Sequence, residues 1–339
     1  GGLFMFRTVM FGLVLATGIA SQSTAASLDE TYSSFWAFGD SLSDPGNLFA
    51  ATGGTTPPSP PYFAGRFSNG PVWAESIAAD FTAAGLVSGN FAFGGATAVT
   101  NADAIPDLAQ QTLIYAGTAA PVAGSRPLAS VFFGANDVLD AVNTFGAQAD
   151  AVAQVGAAAI AAANAVGAGI GTLAATGIRD FAVWNLPDIG RTPGLALFAP
   201  AGAAALASYA VSLFNAQLDT VIAGLGAVGL TVTEIDTFGL FNSVLSDPAA
   251  FGLTDTTLPC VFPNAQAAAA FGQPQICAPD VANQRLFFDS IHPNAVGHQA
   301  MAANFTATIA PIPLPATALL LAGALAGLAL RRRARSGAA

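Results

Sequence analysis

Residues 27–310 predict an α/β protein, a three-layer α/β/α sandwich on a parallel sheet of about five strands. Three observations carry this. Short apolar runs rich in aromatic and β-branched residues recur five times, segments of helical composition fall between them, and those segments are rich in alanine, which lets a helix lie close to a sheet. The run 34–38 reads as the first strand because it is short, aromatic and followed by the turn-forming Gly39-Asp40-Ser41. Residues 52–67, rich in Gly, Thr and Pro, read as a loop that starts near Ser41 and can wall a substrate site. A helix is expected over 72–84, a second strand over 90–93 and a third over 129–133, both strands running into glycine. Residues 150–175 are low in complexity, yet their Ala, Val and Ile content is that of a buried helix. A fourth strand at 180–184, a helix at 201–225 and a fifth strand at 230–235 complete the alternation. From 237 to 285 the chain carries Pro259, Pro263, Pro274, Pro279 and both cysteines, and reads as one long loop, functional or stapled. Pro293 can open a last helix over 294–309.

Both ends read as processing segments. Arg7, an apolar run over 9–20 and the small triplet Thr24-Ala25-Ala26 make residues 1–26 a secretory signal peptide with Met5 as its start. The run is too short and too broken by small polar residues for a spanning helix. At the other end, Pro311-Ile312-Pro313-Leu314-Pro315 precedes the fifteen-residue apolar run 316–330 and then Arg331-Arg332-Arg333-Ala334-Arg335. Fifteen residues are marginal against a bilayer core of about 30 Å, and the arginines mark a cytoplasmic end. This order over 311–339 resembles the PEP-CTERM sorting signal, with Pro313-Leu314-Pro315 replacing Pro-Glu-Pro. The resemblance implies processing by an exosortase, beside signal peptidase at the N-terminus, and a place at the cell surface, outer envelope or matrix of a Gram-negative bacterium. A plain C-terminal membrane anchor is the alternative.

Without these ends the chain has five arginines, no lysine and 20 acidic residues, five minus twenty, a formal charge of −15. Such a surface repels nucleic acid and anionic membrane, so neither is expected as a partner of the body. Cys260 and Cys277 share one segment, and in an exported chain they read as a disulfide, worth about 3 kcal/mol by loop entropy. Two cysteines without clustered histidines give zinc no ligand set, and no metal or organic cofactor is expected.

The chemistry turns on Ser41. A Gly-Asp-Ser turn at a strand end displays a hydroxyl where open α/β sheets bind ligands, although these residues also make ordinary polar loops. A serine nucleophile needs a base, and the chain has two histidines, His292 and His298. His292 lies three residues after Asp289, a spacing that puts imidazole and carboxylate on one side of a turn, and Pro293 biases it away from helical geometry. His298, inside the last helix and without an acidic residue within four positions, reads as a polar surface position. Donors for an oxyanion are offered by Gly94-Gly95 after the second strand and by Asn136 after the third. Taken singly, Gly-Gly also reads as a tight turn and Asn136-Asp137 as a helix cap.

In chain order, Gly39-Asp40-Ser41-Leu42, Gly94-Gly95, Gly134-Ala135-Asn136-Asp137 and Asp289-Ser290-Ile291-His292 resemble the four blocks of the GDSL esterase/lipase family, the SGNH hydrolases. Asp44-Pro45-Gly46-Asn47 and Trp184-Asn185-Leu186-Pro187-Asp188 extend the likeness across most of the body. The resemblance implies a flavodoxin-like sheet, with Ser41 as nucleophile and oxyanion donor, His292 as base and Asp289 as its orienting acid. It also implies Asn136 and Gly95 as further oxyanion donors, with Gly94 as the alternative to Gly95. The substrate it implies is an ester: a lipid, a short-chain ester or an acetylated sugar of an extracellular polysaccharide. A non-catalytic surface protein on the same scaffold is the reading from another class.

Overall fold

The computed structural model describes residues 27–310; the expected signal peptide at 1–26 and sorting segment at 311–339 lie outside the described residues. Five parallel strands, β1 Ser34–Gly39, β2 Val87–Asn90, β3 Pro127–Phe132, β4 Asp180–Trp184 and β5 Thr231–Ile235, pair in the order β2-β1-β3-β4-β5. The longer helices are α1 Trp73–Ala83, α2 Leu108–Thr118, α3 Ala135–Phe145, α4 Ala151–Ala175, α5 Ala203–Ala227, α6 Thr237–Ser246 and α7 Ala295–Ile309. Alternate side chains of β1 point to opposite layers. Phe35 packs on Trp73, Phe81 and Phe305 of α1 and α7, while Trp36 and Phe38 pack on Tyr115 of α2. The sandwich expected from the alternation is thus the observed architecture.

The three central strands are buried along their whole length, whereas β2 and β5 are partly exposed edges. In α4, Val155, Ala159, Ala162, Val166, Ile170 and Leu173 form a buried stripe at helical spacing. Small residues set how closely it packs. A Cβ added at Gly156 would stand 2.9 Å from Leu213, and one at Gly167 2.7 Å from Val221, both on α5.

Several boundaries differ from expectation. Strand β2 precedes the expected 90–93, because the edge position tolerates the polar Val87-Ser88-Gly89-Asn90; the chain beyond it still donates from Phe91 N–H to the Ala37 carbonyl at 2.8 Å. Helix α2 is absent from the expected elements because its inward face is polar. Gln111 is buried, and it accepts the Gly39 N–H at 3.0 Å and donates to the Gly39 carbonyl at 2.9 Å, which breaks the apolar rhythm of the segment. The expected loop over 237–285 opens with α6, capped by Asp236 Oδ1, which accepts the Gly239 N–H at 2.7 Å. The rest of it is stapled as expected, by the Cys260–Cys277 disulfide and by buried Arg285, which donates to the Pro259 carbonyl and Gln273 Oε1 at 2.7 Å each.

Candidate active site

The carboxyl end of β1 turns sharply after Gly39. A Cβ there would stand 2.9 Å from Ser43 Oγ and 3.0 Å from the Phe132 carbonyl, so the backbone can make this approach only without a side chain. Asp40 fixes the turn: its carbonyl accepts the Ser43 and Asp44 N–H groups at 3.0 Å, and its Oδ1 accepts the Leu42 N–H at 3.0 Å. Burial pushes the Asp40 carboxyl up to about 7 against the pull of that last bond. Ser41 is left at the tip, its side chain facing a cleft.

The structure brings Ser41, His292 and Asp289 together. His292 Nε2 lies 2.7 Å from Ser41 Oγ, and His292 Nδ1 lies 2.7 Å from Asp289 Oδ2. Asp289 Oδ1 accepts the Ile291 and His292 N–H groups at 2.9 and 2.8 Å, which curls the four-residue segment so that acid and imidazole meet. Burial pushes the Asp289 carboxyl up, but the His292 charge and the bonds from His292 and Ile291 outweigh it and hold the group below the ordinary carboxylate value. This acid is therefore ionised beside the imidazole at neutral pH.

The candidate oxyanion donors lie on two strand-end segments. Gly94 donates to Asp44 Oδ2 at 2.8 Å, which commits its N–H to the scaffold, whereas no acceptor among the described residues takes the Gly95 N–H. Of the two glycines expected as donors, Gly95 thus keeps its N–H free among the described residues and Gly94 does not. Gly95 is left-handed, with φ 86°, and a Cβ there would lie 2.9 Å from Ile105. Asn136, in the first turn of α3, uses one amide hydrogen on the Ala96 carbonyl at 2.9 Å and keeps the other. Asp44 also accepts the N–H groups of Gly46, Asn47 and Leu48, and Asp137 accepts those of Ala98 and Val99 at 2.8 and 2.9 Å. Two buried carboxylates thus tie the Gly95 segment to β1 and α3.

Beside Ser41, His292 and Asn136 opens a cleft with about 880 Å³ of space, part of it continuous with solvent. Its wall is mainly apolar, formed by Leu240, Phe241 and Val244 of α6, Leu286 and Phe287, and Met301 of α7. Among the described residues, no group of three or more His, Cys, Asp or Glu side chains is placed to hold a metal ion.

His298 departs from expectation. It is 1% exposed because α7 lies against α1: its Nδ1 accepts the Trp73 N–H at 3.4 Å, and burial together with nearby His292 lowers its pKa to about 3. Tyr62 carried no local signal. Its hydroxyl donates to Asp289 Oδ2 at 2.7 Å across 227 positions of sequence. Asp40 reads as a turn residue, and its carboxylate does accept the Leu42 N–H two positions on; Asp137 reads as a helix cap, but its carboxylate accepts instead from Ala98 and Val99, 39 and 38 positions back.

A hydroxyl, an imidazole and a carboxylate in such a relay, at the carboxyl edge of a parallel sheet with free N–H donors beside them, can run nucleophilic acyl transfer. A family profile described as GDSL-like Lipase/Acylhydrolase matches residues 35–305. The phosphatidylcholine-sterol acyltransferase of Aeromonas hydrophila is 33% identical over 258 residues, covering 74% of this chain and 70% of that protein. An acetylesterase of Thermothelomyces thermophilus is 26% identical over 279 residues, covering 76% and 87%. Among solved structures, the extracellular lipase from Streptomyces rimosus aligns with a TM-score of 0.44 at 17% identity, covering 81% and 99%. The chain belongs to the GDSL-like lipase/acylhydrolase family. It is accordingly a carboxylic ester hydrolase.

Proposed function

We propose that this hydrolase cleaves esters of apolar acyl chains through a covalent ester on Ser41. The observation that carries the reading is the unbroken relay from Asp289 to Ser41, both contacts 2.7 Å, opening onto an apolar cleft. His292 Nε2 takes the Ser41 proton as Oγ attacks the ester carbonyl, while Asp289 keeps Nδ1 protonated and stabilises the imidazolium. The oxyanion of the tetrahedral intermediate accepts from the N–H groups of Ser41 and Gly95 and from Asn136 Nδ2. His292 returns the proton to the leaving alcohol. Water, deprotonated by the same imidazole, then attacks the acyl-Ser41 ester and releases the acid.

The lipid substrate in the name of the Aeromonas relative agrees with the apolar wall. The acetylesterase among the relatives keeps a second reading open, deacetylation of an extracellular polysaccharide. Export, with residence at the surface of a Gram-negative cell and processing by signal peptidase and exosortase, belongs to this proposal through the composition of residues 1–26 and 311–339. Replacing Ser41 by Ala should lower ester turnover by roughly four orders of magnitude or more while the protein stays folded. Near-normal hydrolysis by that variant sinks the reading.

A further inference from the structure

We infer that Tyr62 is a positioning residue for the Asp289–His292 pair, a fourth member of the relay supplied by the proline-rich segment 52–67. This rests on the reading of Ser41, His292 and Asp289 given above. The carboxylate of Asp289 has four acceptor directions. Three of the observed bonds come from its own segment, from the Ile291 N–H, the His292 N–H and His292 Nδ1. The fourth is the Tyr62 hydroxyl, on the same Oδ2 that faces the imidazole. With it, both oxygens are fully engaged, and the plane of the carboxylate is tied to a part of the chain outside its own turn.

The surroundings hold the phenol in place. The Tyr62 ring packs edge-on against Phe288 at 5.2 Å and Phe67 at 6.1 Å, and the Phe67 ring in turn lies 5.0 Å from the His292 ring. Tyr62 also packs against the buried cluster containing Cys260, Cys277 and Phe288, so the disulfide-bearing segment backs the same contact. Burial and the Asp289 charge push the phenol's pKa up, which keeps it protonated and donating. The other titratable groups that act on the pair are Asp40 at the end of β1 and His298 of α7. Tyr62 does not line the cleft, so its effect passes through Asp289 and not through substrate contact.

The bond has a chemical direction. A phenol donating to Oδ2 draws charge from the carboxylate. Removing the donor leaves more charge on the carboxylate that faces the imidazolium and one anchor fewer on the carboxylate plane. Tyr62→Phe keeps the ring and deletes the donor. We expect kcat for a short-chain p-nitrophenyl ester to fall about tenfold, as for one charge-assisted hydrogen bond, with KM within twofold of wild type. The acid limb of the kcat/KM profile should move to higher pH. Incorporating 3-fluorotyrosine at position 62, a stronger donor with nearly the same shape, should move that limb to lower pH. A limb that stays in place in both proteins overturns the inference and leaves Tyr62 as packing, whether or not kcat falls. If Tyr62→Phe fails to fold, the fluorotyrosine protein decides alone by the same criterion. Hydrolysis surviving Ser41→Ala would instead refute the underlying site reading, so the two failures are separable.

Discussion

Ala300 lines the cleft from α7 and is half-buried, so Ala300→Phe places a ring in the space proposed for the acyl chain. Each methylene buried from water is worth about 0.8 kcal/mol, close to fourfold in kcat/KM when the burial is realised in the transition state. Going from acetate to hexanoate adds four methylenes, hence about 3 kcal/mol or roughly 200-fold, as an upper limit for a cleft partly open to solvent. Wild-type protein is assayed on p-nitrophenyl esters from acetate to palmitate, beside acetylated xylan. Activity should climb with chain length until the cleft is filled. The introduced ring should erase most of that climb and leave the acetate within threefold of wild type, whereas the milder Ala300→Leu should shift the break to a shorter chain. Two results refute the reasoning: an equal fall on all esters, which means damage to the relay, or a wild-type preference for acetate on sugar, which favours the polysaccharide reading.

Three further outcomes follow from named contacts. Asn136→Ala removes one oxyanion donor and should lower kcat by about 100- to 1,000-fold with little change in KM in steady-state assays; a loss under threefold removes Asn136 from the oxyanion site. Asp40 holds its proton up to about 7 in the fold against an ordinary value of 3.8, so between those values the native state binds more protons than the unfolded chain and stability falls as pH rises. Asp40→Asn keeps the acceptor for the Leu42 N–H, and in urea melts it should gain up to about 4 kcal/mol over wild type above pH 7 and nothing below pH 4; a pH-independent difference contradicts this. The double variant Cys260→Ser, Cys277→Ser reopens a loop spanning 17 positions and should cost about 3 kcal/mol in the same melts, with an unchanged urea midpoint counting against the staple.

The parts of this protein that were legible in the sequence are those with local causes. β1, β3 and β4 stand out because central strands need hydrophobic residues whatever their neighbours, β5 because its Thr and Val residues suit a strand even at an edge, and α4 because its buried residues repeat at helical spacing. The meeting of Asp289 and His292 was readable from a three-residue spacing. Their reach to Ser41 was carried by resemblance, since nothing local joins positions 251 apart. Polar residues turned inward were hidden. Gln111 made α2 look unlike a helix, and His298 looked like a surface residue until α7 was seen to press it onto Trp73. Which of Gly94 and Gly95 keeps a free N–H was likewise hidden, because the acceptor of the Gly94 N–H is Asp44, 50 positions away. Tyr62 was out of reach for the same reason: its partner is 227 positions away, and a tyrosine in a proline-rich loop has no pattern that points there.

The central claim is that Ser41 carries the acyl group, and the most direct measurement is mass spectrometry of the protein quenched during turnover of a p-nitrophenyl ester. The account predicts a mass gain equal to one acyl group, located on the peptide containing Ser41, formed at the rate of the p-nitrophenol burst and absent in Ser41→Ala. An acyl group on any other residue, or one formed equally in Ser41→Ala, would contradict it.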